Sequence, residues 1–595
     1  MNTDFDTLPD GSRFAFWDCT TQFRRTWHVA QAARNANDAN AGTADAPFQS
    51  VAPAAACAEP GDRVLIHAGI YRECVRPARG GTAPDNMISY EAAEGEDVVI
   101  SAAETWETDW RPSEEWRRGV HGHGVACAAP TAARVWQGNL PGAVFAGYNP
   151  FGMINEPTTY WAREKDAQDE AYILRRGLLF VDDQPLRQVR QPWQVWESPG
   201  TVWIEDDGLR LHFRLADDGD PRDHRLTFTA REQAFAPIAR GLGYIRVRGL
   251  TFEKAGNGFP APQRGLISAN SGHHWIIENN RVLWANAVGI DIADQSPHRG
   301  PAPQPVGHHV VRRNLVTDCG ICGICGVPGG HLRLVHTLIE HNVLKRNSWH
   351  DVESLYENAA IKIHLMRDGL IRHNVIHDNG YGCVIWIDCG NENSRVCANA
   401  LLGCRRTMVG ALFVEASLMP NLVDGNIVLD VTADPRRAHG GGHGIFTQET
   451  ECVTIRDNVV ARTEGGCIFV NRGWVTRNLG TRSASGRKNS VLRNTVTDGA
   501  LAVMLPNADN RADENIYGTF PPGALRMQSP EERLDRESWQ RFYGFDGAGR
   551  DAAVRVELDD ARTTVTMTVT LDAQPHAITW ELDRPFDVAA FIERL

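Results

Sequence analysis

The sequence predicts an all-β protein: a right-handed parallel β-helix, interrupted by an inserted β-sandwich and followed by a small C-terminal antiparallel β unit. Three observations predict it. One short phrase, a polar residue or two, then Asn, then an apolar residue, recurs eight times. It centres on Asn280, Asn314, Asn342, Asn374, Asn399, Asn426, Asn458 and Asn494, spaced 25 to 36 residues apart. A period in that range with strand-like flanks marks a solenoid. Stretches such as AIKIHL, CVIWID and ALFVEA alternate with the two-residue period of strands. The repeat then vanishes between about 126 and 235, where GLLFVDDQPLR and WIEDDGLRLHF place turn residues between alternating strands, as antiparallel hairpins do. Asn suits the bend of each coil because it tolerates left-handed backbone and its amide can hydrogen-bond neighbouring backbone.

Four regions follow in order. Residues 1–125 hold a capping helix over PFQSVAPAAACA and the first coils, with strands at RVLIHAG, YRECV and ISYEAA; a solenoid needs its open end covered. Residues 126–235 form the inserted sandwich. Residues 236–510 are the main β-helix, resuming at GYIRVRGLTFEK. Residues 511–595 carry a helix near PEERLDRESWQRFYG and then VRVELDD, TTVTMTVTLD and AITWELD as an antiparallel unit.

The 595 residues exceed one ordinary compact core, which again favours a solenoid with modules. A net charge of −13 argues against nucleic acid as a partner and weakens any case for acidic polysaccharide. The first residues show no basic start leading into an apolar run, and no stretch is long enough to span a membrane, so a cytoplasmic protein is expected. The 13 scattered cysteines then read as reduced thiols. Exposed solenoid faces leave a homo-oligomer open.

Alternation assigns the faces. In AAIKIHL, Ile361, Ile363 and Leu365 point inward, so Lys362 and His364 point out. In CVIWIDCG, Trp386 and Asp388 point out; in ALFVEAS, Phe413 and Glu415; in HGIFTQE, Phe446 and Gln448. These segments are consecutive coils, so Asp388 and Glu415 fall on neighbouring strands about 4.8 Å apart. Carboxyls about 5–5.5 Å apart suit a retaining glycosidase, one attacking the anomeric carbon and the other protonating the leaving oxygen. Lys362 and His364 would favour an ionised Asp388, and Trp386 and Phe413 would offer apolar faces to a sugar. His443, in HGGGHG, is expected on a loop rimming the cleft and touching substrate, and the outward Gln448 is expected to bind substrate as well.

At these residues the chain resembles glycoside hydrolase family 120, whose members include β-xylosidases. ENAAIKIH, VIWIDCG and ALFVEA, in this order, carry the resemblance, with GYNPFG and the N-terminal AACAEPGDRVLIHAGIYRECVRP run in support. It implies a right-handed β-helix interrupted by a β-sandwich, Asp388 as nucleophile and Glu415 as acid/base. Glu357 is implied as a supporting carboxylate that hydrogen-bonds substrate or orients the nucleophile. The expected substrate is an oligosaccharide or glycoside, with a β-xyloside leading, cleaved by an exo-acting retaining hydrolase that needs no cofactor and no metal.

Other features read more plainly. Cys319, Cys322 and Cys325 in CGICGIC lack a fourth ligand of matching spacing and read as small side chains in a tight coil. His439 and His443 could coordinate metal, but the loop reading is preferred. The pairs His273–His274 and His308–His309 read as stacked repeat elements, and Asp291 as a cleft residue or a solvated one. Two other functions fit the fold. A polysaccharide lyase or uronate epimerase would use Lys362 or Arg367 as base or charge neutraliser, and the paired acids fit that poorly. A non-catalytic glycan-binding solenoid is the third reading.

Overall fold

Strands of successive coils pair in parallel, as the repeat predicts. One wall is a 13-stranded sheet that starts at Arg25–Val29, in a segment the sequence left unassigned, and ends at Arg511–Asp513. This computed structural model describes residues 4–595 apart from 114–133, 156–172, 260–263, 295–305, 329–332, 353–357, 436–439, 474–476 and 480–481. Inward-facing aliphatics form straight rows from coil to coil. Ile277, Val311, Ile339, Ile371 and Val396 stand in register on the 13-stranded wall. Ile290, Ile324, Ile361, Ile385, Leu412, Ile445 and Ile468 do so on a second wall. All are sealed from solvent, and each such side chain contributes roughly 1.5–3 kcal/mol of hydrophobic stabilisation.

The recurring Asn residues build a continuous internal ladder. The Nδ2 of each donates to the Oδ1 of the next, from Asn280 through Asn494 and on to a ninth, Asn515, at 2.9–3.2 Å. Each Nδ2 also donates to a carbonyl of the preceding coil, Ile371 in the case of Asn399. The ladder ends on Asp546, whose carboxylate accepts from Asn515 Nδ2 at 2.8 Å. The expected left-handed backbone lies one residue earlier, at Asn279, Arg313, His341, His373, Ala398, Asp457 and Arg493. The reason is burial: the residue at the bend points outward, whereas the Asn after it turns into the coil, where an amide can satisfy backbone above and below. Asn399→Leu keeps the branched heavy-atom shape but strips the acceptor from the Asn374 main-chain N–H and Nδ2. A loss on the order of 3 kcal/mol is expected, read as a lower denaturant midpoint; an unchanged midpoint would contradict a structural ladder.

The insertion does not break the winding. Ile245–Arg248 pairs in parallel with Ile88–Ala92, and Thr251–Ala255 with Val98–Ser101, across the whole inserted segment. The insert is two packed sheets of four and five strands, and Trp106, Phe145, Phe151, Phe213 and Phe228 fill the space between them. Its strands begin at Ala103–Thr105 and Arg111–Pro112, upstream of residue 126, because Ala103–Thr105 pairs with Thr227–Thr229 at the module's far end. At the C-terminus Ala553–Leu558, Thr564–Leu571 and Gln574–Glu581 form the antiparallel unit. It lays Val565, Met567, Val569 and Trp580 over the outward Ala400, Ile427, Leu429 and Val459 of the solenoid.

The helix Ala52–Cys57 packs Ala54 and Ala55 against the first coils. The N-terminal arm runs across the outer face of the 13-stranded wall, where Leu8 and Phe14 cover Ile276, Val310, Leu338 and Leu370. There Phe14 stacks on His336 at 4.2 Å, and His274 stacks on His308 at 4.3 Å. The three clustered cysteines do not converge: Cys319 lies in the solenoid core, Cys322 and Cys325 in a separate apolar cluster outside it. Asp291 is fully buried rather than cleft-lining, accepting from Ser268 Oγ at 2.8 Å.

Candidate active site

The second wall carries the acids. Strands Ala359–His364, Cys383–Asp388, Gly410–Ser417 and His443–Thr450 lie side by side in parallel register. His364 stands opposite Asp388. Glu415 stands opposite Gln448, and Ile387 pairs with Val414, which places Asp388 beside Glu415. Each is the last outward residue before a left-handed bend, at Leu365, Cys389, Ala416 and Glu449 respectively. The bends end the strands together, so the polar row forms the rim of the wall. Cys389, next to Asp388, is one of these bend residues.

Asp388 and Glu415 are each 8% exposed, and their carboxyls are within hydrogen-bonding reach of each other. Lys362 Nζ lies 3.2 Å and His364 Nδ1 3.4 Å from Asp388 Oδ2. Burial opposes charge on Asp388, but the Lys362 ammonium, the His364 ring and the Glu415 hydrogen bond outweigh it. They hold the carboxyl well below the usual range. Glu415 goes the other way: burial first, and the Asp388 charge second, push it up to about 8 against the pull of Arg477. Two acids one strand apart are thus biased to opposite protonation states, which is how a site assigns acid and nucleophile.

The aromatics do not present faces to solvent. Trp386 is 3% and Phe413 2% exposed. They stack on each other at 5.2 Å, and Phe413 meets Phe446 at 5.1 Å. The strand spacing is close to a ring-packing distance, so rings at one register position on consecutive coils cover one another. Trp386 acts through its edge instead: its Nε1 donates to Glu415 Oε2 at 2.9 Å, while Lys362 Nζ sits 3.2 Å from its ring centroid.

His443 is not at the acids. It opens its strand opposite Gly410, five residues before Gln448, roughly 16 Å along an extended chain. There it is buried, stacked on Phe469 at 4.1 Å, and its Nδ1 accepts the Gly466 N–H at 2.7 Å. It belongs to the apolar flank of the wall rather than to a loop, because the strand begins at His443 itself. Gln448 is half-buried beside Glu415 and accepts from Asn471 Nδ2 at 3.3 Å. Glu357 and His439 lie outside the described residues. Arg367 is exposed and directed at Asp368 and Glu392.

Two charged neighbours of the acid pair escaped the sequence reading. Arg477 contacts Glu415 Oε1 through its guanidinium and binds Glu449 Oε2 through Nε at 2.6 Å. Glu449 follows Gln448 directly, yet two-residue alternation gave it no outward place. Arg477 comes from a connection 62 residues after Glu415, where strand periodicity gives no signal.

No family model matches the chain, and no curated protein matches it. Among solved structures it is similar to the complex of XylC with xylose, at 20% identity over 92% of this chain and 89% of that one, with a TM-score of 0.67. Weaker likenesses are a GH136 lacto-N-biosidase from Eubacterium ramulus (12% identity, 89% and 67% covered, TM-score 0.38) and the pectate lyase Pel9A (9%, 88% and 82%, TM-score 0.30). The first likeness shows that this protein and XylC share a fold along nearly their whole lengths: a parallel β-helix with an inserted β-sandwich. No helix among the described residues is long and apolar enough to cross a membrane.

Proposed function

We propose that the protein is a retaining glycoside hydrolase that acts on short β-xylosides. The observation that carries this reading is the Asp388–Glu415 pair: two nearly buried carboxyls on adjacent strands, one held ionised by Lys362 and His364, the other kept protonated. Adjacent strands lie about 4.8 Å apart and the two carboxyls interact directly, which favours the close carboxyl pairing of retaining enzymes over the wider one of inverting enzymes. Asp388 attacks the anomeric carbon while Glu415 gives its proton to the departing oxygen. Water then attacks the glycosyl ester, its proton passing to Glu415 and the C1–O electron pair returning to Asp388. The shared fold with a protein solved with xylose supports a pentoside as the first substrate class to try.

A lyase reading finds less support. Lys362, its candidate base, is 1% exposed, ion-paired to Asp388 and stacked on Trp386. The test is a panel of nitrophenyl glycosides with the product anomer followed by NMR. The expected result is release from the β-xyloside with a β-configured sugar appearing first. First appearance of the α-anomer, or an unsaturated ultraviolet-absorbing product, would overturn the proposal.

A further inference from the structure

We infer that Arg477, anchored by Glu449, is a positioning residue that switches Glu415 from acid to base between the two half-reactions. The inference rests on the hydrolase reading of the site.

The geometry is that of a clamp. Glu415 is pinned between two N–H donors: the Trp386 indole on Oε2, and the Arg477 guanidinium on Oε1. Both stabilise its ionised form. Arg477 is in turn fixed by Glu449 Oε2 at 2.6 Å. The Glu449 side chain is 2% exposed, and its other oxygen is buried with no hydrogen-bond partner among the described residues. A carboxylate buried this way is costly unless a cation holds it, so the Arg477–Glu449 pair is built as a unit. The titratable or charged groups facing Glu415 are Asp388, Lys362, Cys383, Cys389, Glu449 and Arg477, with His364 across Asp388.

Their balance changes during the reaction. In the free enzyme the Asp388 charge outweighs Arg477, and Glu415 keeps its proton. As the C1–O bond to the leaving group breaks, that proton goes to the departing oxygen and an Asp388 oxygen bonds to C1. Asp388 is then a neutral ester and its repulsion is gone, while Arg477 stays. Glu415 is therefore held as a carboxylate, ready to take the proton of the attacking water as the C1–Oδ bond breaks and its electron pair returns to Asp388. Without Arg477, burial alone would keep Glu415 protonated after the first step and starve the second of its base.

The test compares kcat/KM pH profiles on a β-linked xylose disaccharide, whose leaving group needs the proton, and pre-steady-state kinetics on a nitrophenyl β-xyloside, for the full-length chain and for Arg477→Ala, Arg477→Lys and Glu449→Gln. In Arg477→Ala the basic limb of kcat/KM is expected to move up by about one pH unit or more. Below neutral pH the second step should slow about tenfold, so that a burst of nitrophenol precedes a slow steady state. Arg477→Lys, which keeps the charge, should restore most of the profile, and Glu449→Gln should fall between. If Arg477→Ala folds poorly, the other two variants decide by the same limbs. A uniform loss of rate with unmoved limbs and no burst would overturn the clamp while leaving the hydrolase reading in place. A wild-type protein without hydrolysis, or one unaffected by loss of Asp388, would overturn both.

Discussion

Asp388→Asn is expected to lower kcat on a nitrophenyl β-xyloside by about 10⁴-fold or more. The amide fills the same space but cannot form the glycosyl ester, and the rest of the wall stays in place. Loss of the charge also removes the repulsion that raises Glu415, so residual activity should depend on pH differently from wild type. Asp388→Gly makes the assignment specific. It opens room for a small anion at the anomeric carbon, and azide should restore turnover with a glycosyl azide of inverted configuration. Near-full turnover by Asp388→Asn would end the assignment, since no other described carboxyl stands beside Glu415 on this row. Some cost in stability is expected, because Lys362 loses a charge partner at 3.2 Å in a buried setting. Thermal denaturation separates that cost from the chemical one.

Glu415→Gln should fail differently. A nitrophenolate leaves with little help, so the first step survives on that substrate. A disaccharide leaving group needs the proton, and its cleavage should fall by about 10²–10⁴-fold. The second step loses its base on either substrate, so a glycosyl-enzyme should accumulate and be visible by intact-protein mass. Azide should speed release and give a product of retained configuration. The pH profile supplies an independent check. On the disaccharide, wild-type activity requires protonated Glu415, so kcat/KM should fall as pH rises through about 8 and hold on the acid side into the range where Asp388 finally protonates. In Glu415→Gln the basic limb should vanish. Equal losses on activated and unactivated substrates would argue against Glu415 as the proton donor.

The two acids could be located in the sequence because their placement depends on simple alternation. Once Ile385, Ile387, Leu412 and Val414 are set inward, Asp388 and Glu415 must emerge together, and parallel register leaves no freedom to separate them. The Asn repeat was legible for the same reason, although its role shifted from bend to buried ladder. Alternation shows which way a side chain points but not what covers it. It therefore gave Trp386 and Phe413 free faces that neighbouring rings in fact occupy. His443 went astray for another reason: its Gly-rich run read as a loop at the cleft, whereas a strand begins at His443 and five residues of it separate that ring from Gln448. Arg477 was invisible because its contact joins an irregular connection to a strand two coils earlier in the winding, and no local pattern encodes such a meeting.

The asparagine column also has a direction. Every amide-to-amide bond points the same way: each Nδ2 gives one hydrogen to the Asn Oδ1 of the coil that follows and another to a main-chain carbonyl of the coil before, so the side-chain carbonyls align and their small dipoles add. Such a filament has an electropositive tip, and here that tip is met by an anion. The Asp546 carboxylate takes hydrogens from Asn515, from the Tyr517 hydroxyl and from the Trp539 indole, and gives none. The solenoid is thus finished at one end by charge as well as by packing. Coils could be added or lost within the column without disturbing its sense, whereas a chain cut short of Asp546 would leave the whole aligned stack ending on nothing.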